Sequence, residues 1–274
     1  MAQTRTARIF AVAAGEGRAR MNVGGAWVAA WRPEVMLLAV LLAGSYFALL
    51  SALVRERVGW PRRAAFLLAL LVLYAAEGPL ALWAQQRFFV AYAADMLLLA
   101  FVVPWLVIAG VPAALVERAA AVHWIARLVR FATRPVVALV LFNALVTAAL
   151  LPPVLDWNLT LNWFHAILQN LLMLAALCFW APIVGRSGPA GRMGRGMQMF
   201  YIVYSSNFMM PIIVWLFMGD PWYPVFIHAA AADGASAAED QQAGGALMLL
   251  AMYLTYGYLA VRLFRRSDES VWYE

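Results

Sequence analysis

Seven stretches of this chain are each apolar for roughly the 20 residues that a helix needs to cross a bilayer: 35–54, 64–84, 88–110, 136–155, 163–184, 198–218 and 244–264. Hydrocarbon offers no water to backbone N–H and C=O groups, so segments of this kind fold as helices that satisfy those groups internally. Composition agrees: 65% of the residues are hydrophobic and 12% charged, far more apolar than a soluble domain requires. The expected fold is an all-α polytopic membrane helix bundle with about seven transmembrane helices. Residues 1–34 form an N-terminal tail, 35–264 the membrane domain and 265–274 a second tail.

Charge between the segments orients the bundle. Arg55, Arg57, Arg62 and Arg63 separate the first two, and Arg118, Arg127, Arg130 and Arg134 the third and fourth. Arg186, Arg192 and Arg195 separate the fifth and sixth, and Arg265 and Arg266 follow the seventh. The alternate loops carry Arg87 alone, then Asp156, then Asp220, Asp233, Glu239 and Asp240. The positive-inside rule therefore predicts an N-out, C-in protein. Arg5, Arg8, Arg18 and Arg20 in the tail oppose it, which is resolved if they are translocated or if the chain starts at Met21. The apolar run at 11–15 is too short for a signal-peptide core, so no cleaved leader is expected.

Several function classes are excluded. All twenty basic residues are arginine, so no lysine is present to form a retinal Schiff base. The arginines are scattered between apolar segments and make no nucleic-acid patch. The single cysteine, Cys178, permits no intramolecular disulfide and no CxxC motif. Residues 191–196, GRMGRG, lack phosphate-loop spacing, and Ser205-Ser206-Asn207 has no base at motif spacing; hydrogen bonding between helices accounts better for the latter. His123, Arg127, Arg130 and Arg134 recur at helical steps opposite Leu115, Val122, Ile125, Val129 and Phe131, predicting an amphipathic helix on the inner bilayer surface. The loop at 219–243 reads as irregular, and no internal repeat is evident.

The stretch at 88–112 is the expected organiser, because it is apolar yet carries Tyr92, Asp95 and Met96 on one helical face. Glu77, in an Glu77-Gly78-Pro79 break that should kink or end the second span, falls at the same outer level. His165, Gln169, Asp240 and Gln241 fall there too. Ionisable groups at membrane depth require partners, and Arg87 is the nearest cation in sequence. Such a layer can bind a metal, carry protons or dock a protein. Tyr92 with Met96 and His165 with Gln169 are spaced four apart, a separation that lets two side chains share a ligand. The candidate metal set is His165, Met96, Tyr92 and Asp95, with copper the matching ion. Met209 and Met210 read as core filler. A haem is disfavoured, because His123 and His228 lie on opposite sides and leave His165 without a second axial imidazole.

The chain resembles the CtaG-like (Caa-type) cytochrome c oxidase assembly factors over roughly residues 31–266. The carriers are Trp31-Arg32-Pro33, Gly59-Trp60-Pro61, Gly78-Pro79-Leu80, the LLL…P…G.P skeleton at 97–112 and Arg134-Pro135 before Phe142-Asn143. Leu151-Pro152-Pro153, His165-Ala166, Phe179-Trp180-Ala181-Pro182-Ile183-Val184-Gly185 and Asp240-Gln241-Gln242-Ala243-Gly244 complete them. The resemblance implies a seven-helix protein that supports maturation of the oxidase copper centre. It also implies a histidine pair where this chain has Tyr92 and Met96, a histidine where it has Leu150, and a second pair where it has His165 and Gln169. Of those five imidazoles only His165 is present.

The leading expectation is thus a non-enzymatic, metal-free scaffold in the bacterial inner membrane, whose partners are oxidase subunits or other assembly factors and the lipid bilayer. A Cu(I) carrier open to the outer face is the second reading. A small-solute or proton transporter is the third, and it would need the acidic layer to continue inward.

Overall fold

The computed structural model describes residues 32–54, 58–81, 84, 87–184, 193–218 and 220–271, without the side chains of 266–271. The expectations about the tail before Arg32, the Met21 start, Arg55, Arg57, Arg186 and Arg192 fall outside those residues, as do those about residues 272–274 and about the side chain of Arg266.

Eleven helices account for the described chain. We name them α1 (Pro33–Leu53), α2 (Trp60–Ala75, continued by a π turn at Ala76–Leu80) and α3 (Phe89–Leu97, a π turn at Leu98–Val102, then Val103–Gly110). Next come α4 (Ala113–Ala120), α5 (His123–Ala132), α6 (Pro135–Ala149) and α7 (Pro152–Thr160). The last four are α8 (Asn162–Val184), α9 (Arg195–Phe217), α10 (Pro224–Asp233) and α11 (Ala237–Val271). Proline opens α1, α6, α7 and α10, where its missing N–H costs nothing and its fixed φ suits a first turn. Among the described residues, six helices are long and apolar enough to span a membrane, and seven if α5 and α6, bent by 71°, count as one span.

The central role of the 88–112 stretch holds. Within the span Phe89–Gly110, 56% of the most apolar window is buried, against 11% for α1. α3 packs on α2 and α8 through its C-terminal half and on α11 through its N-terminal half. Glycine permits two of these approaches. A Cβ on Gly110 would lie 2.7 Å from the Phe66 backbone nitrogen in α2, and one on Gly244 would lie 2.5 Å from the Phe89 ring. Tyr46 of α1 reaches across to donate to the Gly110 carbonyl at 2.9 Å and stacks on Phe66.

Prolines at 79 and 104 interrupt the backbone ladder, and both breaks are absorbed as π turns instead of ending the helix. Pro104 has no N–H to give the carbonyl four residues earlier, which is that of Ala100. That acceptor is instead met by the Trp180 Nε1–H at 2.8 Å. The Trp180 ring sits in an aromatic cluster with Phe101, Phe142, Phe179 and Tyr256.

The fourth expected segment, 136–155, is shorter than the sequence implied. α6 has 15 residues, about 22 Å at 1.5 Å per residue, and the chain breaks at Leu150-Leu151 before α7 begins at Pro152. A helix that stops early leaves carbonyls unpaired. Here Tyr92 donates to the Ala149 carbonyl at 3.0 Å and Tyr223 to the Leu150 carbonyl at 2.8 Å. The loop expected at 219–243 contains α10 and the first turns of α11.

The amphipathic segment is the helix α5. His123, Arg127 and Arg130 are exposed along one line, and Trp124, Leu128 and Phe131 along the next. Of the polar run in α9, only Ser205 bonds between helices, to Asn143 of α6 at 3.0 Å and with Tyr256 of α11 at 2.7 Å. Ser206 and Asn207 donate back to carbonyls of their own helix.

Candidate functional site

The polar layer divides into two groups with different geometry. The first ties helix ends together. Asp240, in the first turn of α11, accepts from the backbone N–H groups of Phe89 at 2.5 Å and Val90 at 3.2 Å, so it caps the N-terminus of α3 from another helix. Gln241 donates to the Leu216 carbonyl at 3.1 Å and accepts from the Trp222 N–H at 2.8 Å, closing the end of α9. Gly244, one turn on, leaves room for Phe89, which stacks on Tyr223 at 4.8 Å. The Asp240-Gln241-Gln242-Ala243-Gly244 element is therefore a clamp on three helices.

The second group lies between α1, α2 and α8. The π turn of α2 presents Glu77 toward His165 of α8, with 3.4 Å between the Glu77 Oε2 and the His165 Nε2. Arg32 reaches the same carboxylate oxygen at 3.8 Å and donates to the Glu77 carbonyl at 2.8 Å. One helical turn below His165, Gln169 donates to Asp95 of α3 at 3.2 Å. Asp95, His165 and Gln169 are all buried. The second Asp95 oxygen and the His165 Nδ1 are enclosed without a protein partner. A cleft of about 690 Å³ opens beside this group, lined by Arg32, Glu77, His165 and Gln169 and by apolar side chains of α1, α2 and α8.

The structure thus brings Glu77, His165, Gln169 and Asp95 together, as the sequence placed them. Asp240 and Gln241 belong to the clamp. Tyr92 directs its hydroxyl to the end of α6, and Met96 is packed in the apolar core with Phe142 and Leu172 among its buried members. Among the described residues, no group of three or more His, Cys, Asp or Glu side chains is placed to hold a metal ion. Sequence reasoning missed Arg32 as the partner of Glu77, because the two are 45 residues apart. The N-out topology already set Arg32 at the outer level, and that was the usable signal. It also missed Tyr223, whose cap on Leu150 no spacing rule predicts.

Further along the bundle, Asn143, Ser205 and Tyr256 form a buried neutral chain, with Ser205 bonded to both of the others, and Asn143 donates to its own helix at Leu139.

Fold and site together define a multi-pass, all-α membrane protein with a polar cleft at one end of its bundle. The model of the cytochrome c oxidase caa3 assembly factor family matches residues 44–269, and the chain belongs to that family. No curated protein and no solved structure matches it.

Proposed function

We propose that this chain supports maturation of the copper centre of a cytochrome c oxidase as a scaffold in the bacterial inner membrane. It catalyses no reaction in this reading, and it docks an oxidase subunit or another assembly protein. The arginine loops face the cytoplasm and the clamp and cleft face outward, with the N-terminus out and the C-terminus in. Family membership supports the assembly role.

The observation that carries the metal-free part is the donation from Tyr92 to Ala149. At the place where the family resemblance implies an imidazole, this chain has a hydroxyl committed to a helix end. The remaining donors do not fit a resident copper ion. Met96 is core, Asp95 accepts from Gln169, and His165 faces Glu77. A copper site rests on several nitrogen or sulfur donors in one fixed geometry, and His165 alone does not provide it. The carrier reading needs those four side chains to converge on one ion. The transporter reading needs carboxylates where Asn143, Ser205 and Tyr256 stand.

The test is affinity purification of the tagged chain from its native membrane, together with deletion of its gene. Recovery of an oxidase subunit or assembly protein, and an oxidase lacking copper in the deletion strain, are expected. A fully copper-loaded oxidase in that strain, with no oxidase component recovered, would overturn the reading.

A further inference from the structure

The cleft between α1 and α8 has a vertical order that a protein contact does not explain. α1 is held to the bundle through its C-terminal half, where Tyr46 and Leu50 are buried, while Met36, Leu37, Leu38, Val40 and Leu41 of its N-terminal half are exposed. Among the described residues, Val35, Leu38 and Leu42 of α1 face Ala166 and Met173 of α8 across the cleft. The cleft's outer end carries Arg32, Glu34, Glu77 and His165. Further along the same helices its walls become Leu42, Leu73 and Met173. His165 and Met173 are eight residues apart on α8, about 12 Å along its axis. Charged groups at the rim with aliphatic walls below are the profile of a phospholipid, headgroup outward and acyl chains inward.

The chemistry of the rim selects the headgroup. It holds two carboxylates, Glu34 and Glu77, against one guanidinium, Arg32. An anionic headgroup would meet net negative charge. A zwitterion meets both signs: its cation sits on Glu77 and its phosphate on the Nη2 of Arg32, whose Nε donates to Glu34 at 3.1 Å and whose Nη1 donates to the Glu77 carbonyl at 2.8 Å. Hydrogen bonding narrows the choice. The His165 Nε2 faces Glu77, and the His165 Nδ1 is enclosed away from the cleft. The carboxylates of Glu34 and Glu77 are therefore the acceptors around the cation position. A primary ammonium has three N–H groups to give them, and a quaternary ammonium has none.

We propose that this cleft binds one zwitterionic phospholipid with a primary-ammonium headgroup, of the phosphatidylethanolamine type, through Arg32 and Glu77. The lipid is a structural ligand that fills the gap beside α1, whether or not the scaffold role above holds.

The test uses the full chain in nanodiscs containing phosphatidylethanolamine, phosphatidylcholine and phosphatidylglycerol in equal parts, followed by native mass spectrometry after release. One phosphatidylethanolamine per chain is expected to survive, retained about tenfold over the other two, as loss of a charge-assisted hydrogen bond implies. Glu77→Gln should abolish the preference. Leu42→Trp, at an exposed wall position, should displace the lipid while the helical circular dichroism of the chain stays unchanged. Equal retention of phosphatidylethanolamine and phosphatidylcholine by the wild-type chain would overturn the proposal. So would lipid retention that Leu42→Trp leaves unchanged.

Discussion

The indole N–H of Trp180 is given to the carbonyl of Ala100 at 2.8 Å, which is the carbonyl that Pro104 leaves without its helical donor. One helix thus repairs a defect in another, and the two sequence motifs that hold these residues are a single structural unit. Trp180→Phe keeps most of the packing and strands a buried acceptor, so it should cost about 1–3 kcal/mol. The cost should shrink in a Pro104→Ala background, where the backbone N–H returns. A double-mutant cycle by reversible unfolding in mixed micelles measures the coupling.

Tyr92→Phe removes the donor to the Ala149 carbonyl and should destabilise the protein by about 1–3 kcal/mol, as for any buried acceptor left unpaired. Tyr223→Phe should do the same at Leu150. These two carbonyls are successive, so the double variant should free the end of α6. Faster amide exchange confined to the last turn of α6 would be the signature.

Gly110→Ala and Gly244→Ala differ in what the new methyl group meets. At Gly110 it strikes the Phe66 backbone, which cannot yield without moving α2 from α3. At Gly244 it strikes the edge of a ring. Overpacking costs about 1–3 kcal/mol, and the Gly110 variant should fall at or above the top of that range with the Gly244 variant below it. Thermal unfolding of the two proteins in one detergent ranks them.

Asp156, on α7 outside the spanning helices, has its carboxyl pushed up from the usual aspartate range by burial. Its Oδ1 is enclosed without a partner. The folded state therefore holds this proton more tightly than the unfolded chain. The Asp156 contribution should favour folding at acid pH and decline as pH rises from about 4 through the raised value. Asp156→Asn should then raise the unfolding temperature at neutral pH and lose that advantage in acid.

Much of this architecture was legible in the sequence, and the illegible parts have a common cause. The spans and the amphipathic α5 follow from local periodicity. So does the disturbance at Glu77-Gly78-Pro79, although its form as a π turn depends on neighbours. The early end of α6 was signalled by Pro152-Pro153, which no helix runs through undisturbed, but the groups that complete it, Tyr92 and Tyr223, lie on other elements and were not readable. In the same way, Asp240 looked like one more member of an acidic layer until its partners, the N–H groups of Phe89 and Val90, were seen. Several helix ends in this protein are completed from across the bundle. Ser236 caps α11 locally, accepting from the Glu239 N–H at 3.3 Å, but α1–α7, α9 and α10 receive no cap hydrogen bond from their own N-cap side chains.

In the function proposed above, the outer polar layer of this chain holds no resident copper ion. The most direct test is the copper content of the detergent-purified protein after anaerobic Cu(I) loading and removal of loosely bound metal. The account predicts far less than one copper per chain, unchanged by His165→Ala. Near-stoichiometric copper that is lost on His165→Ala and on Met96→Leu would contradict it.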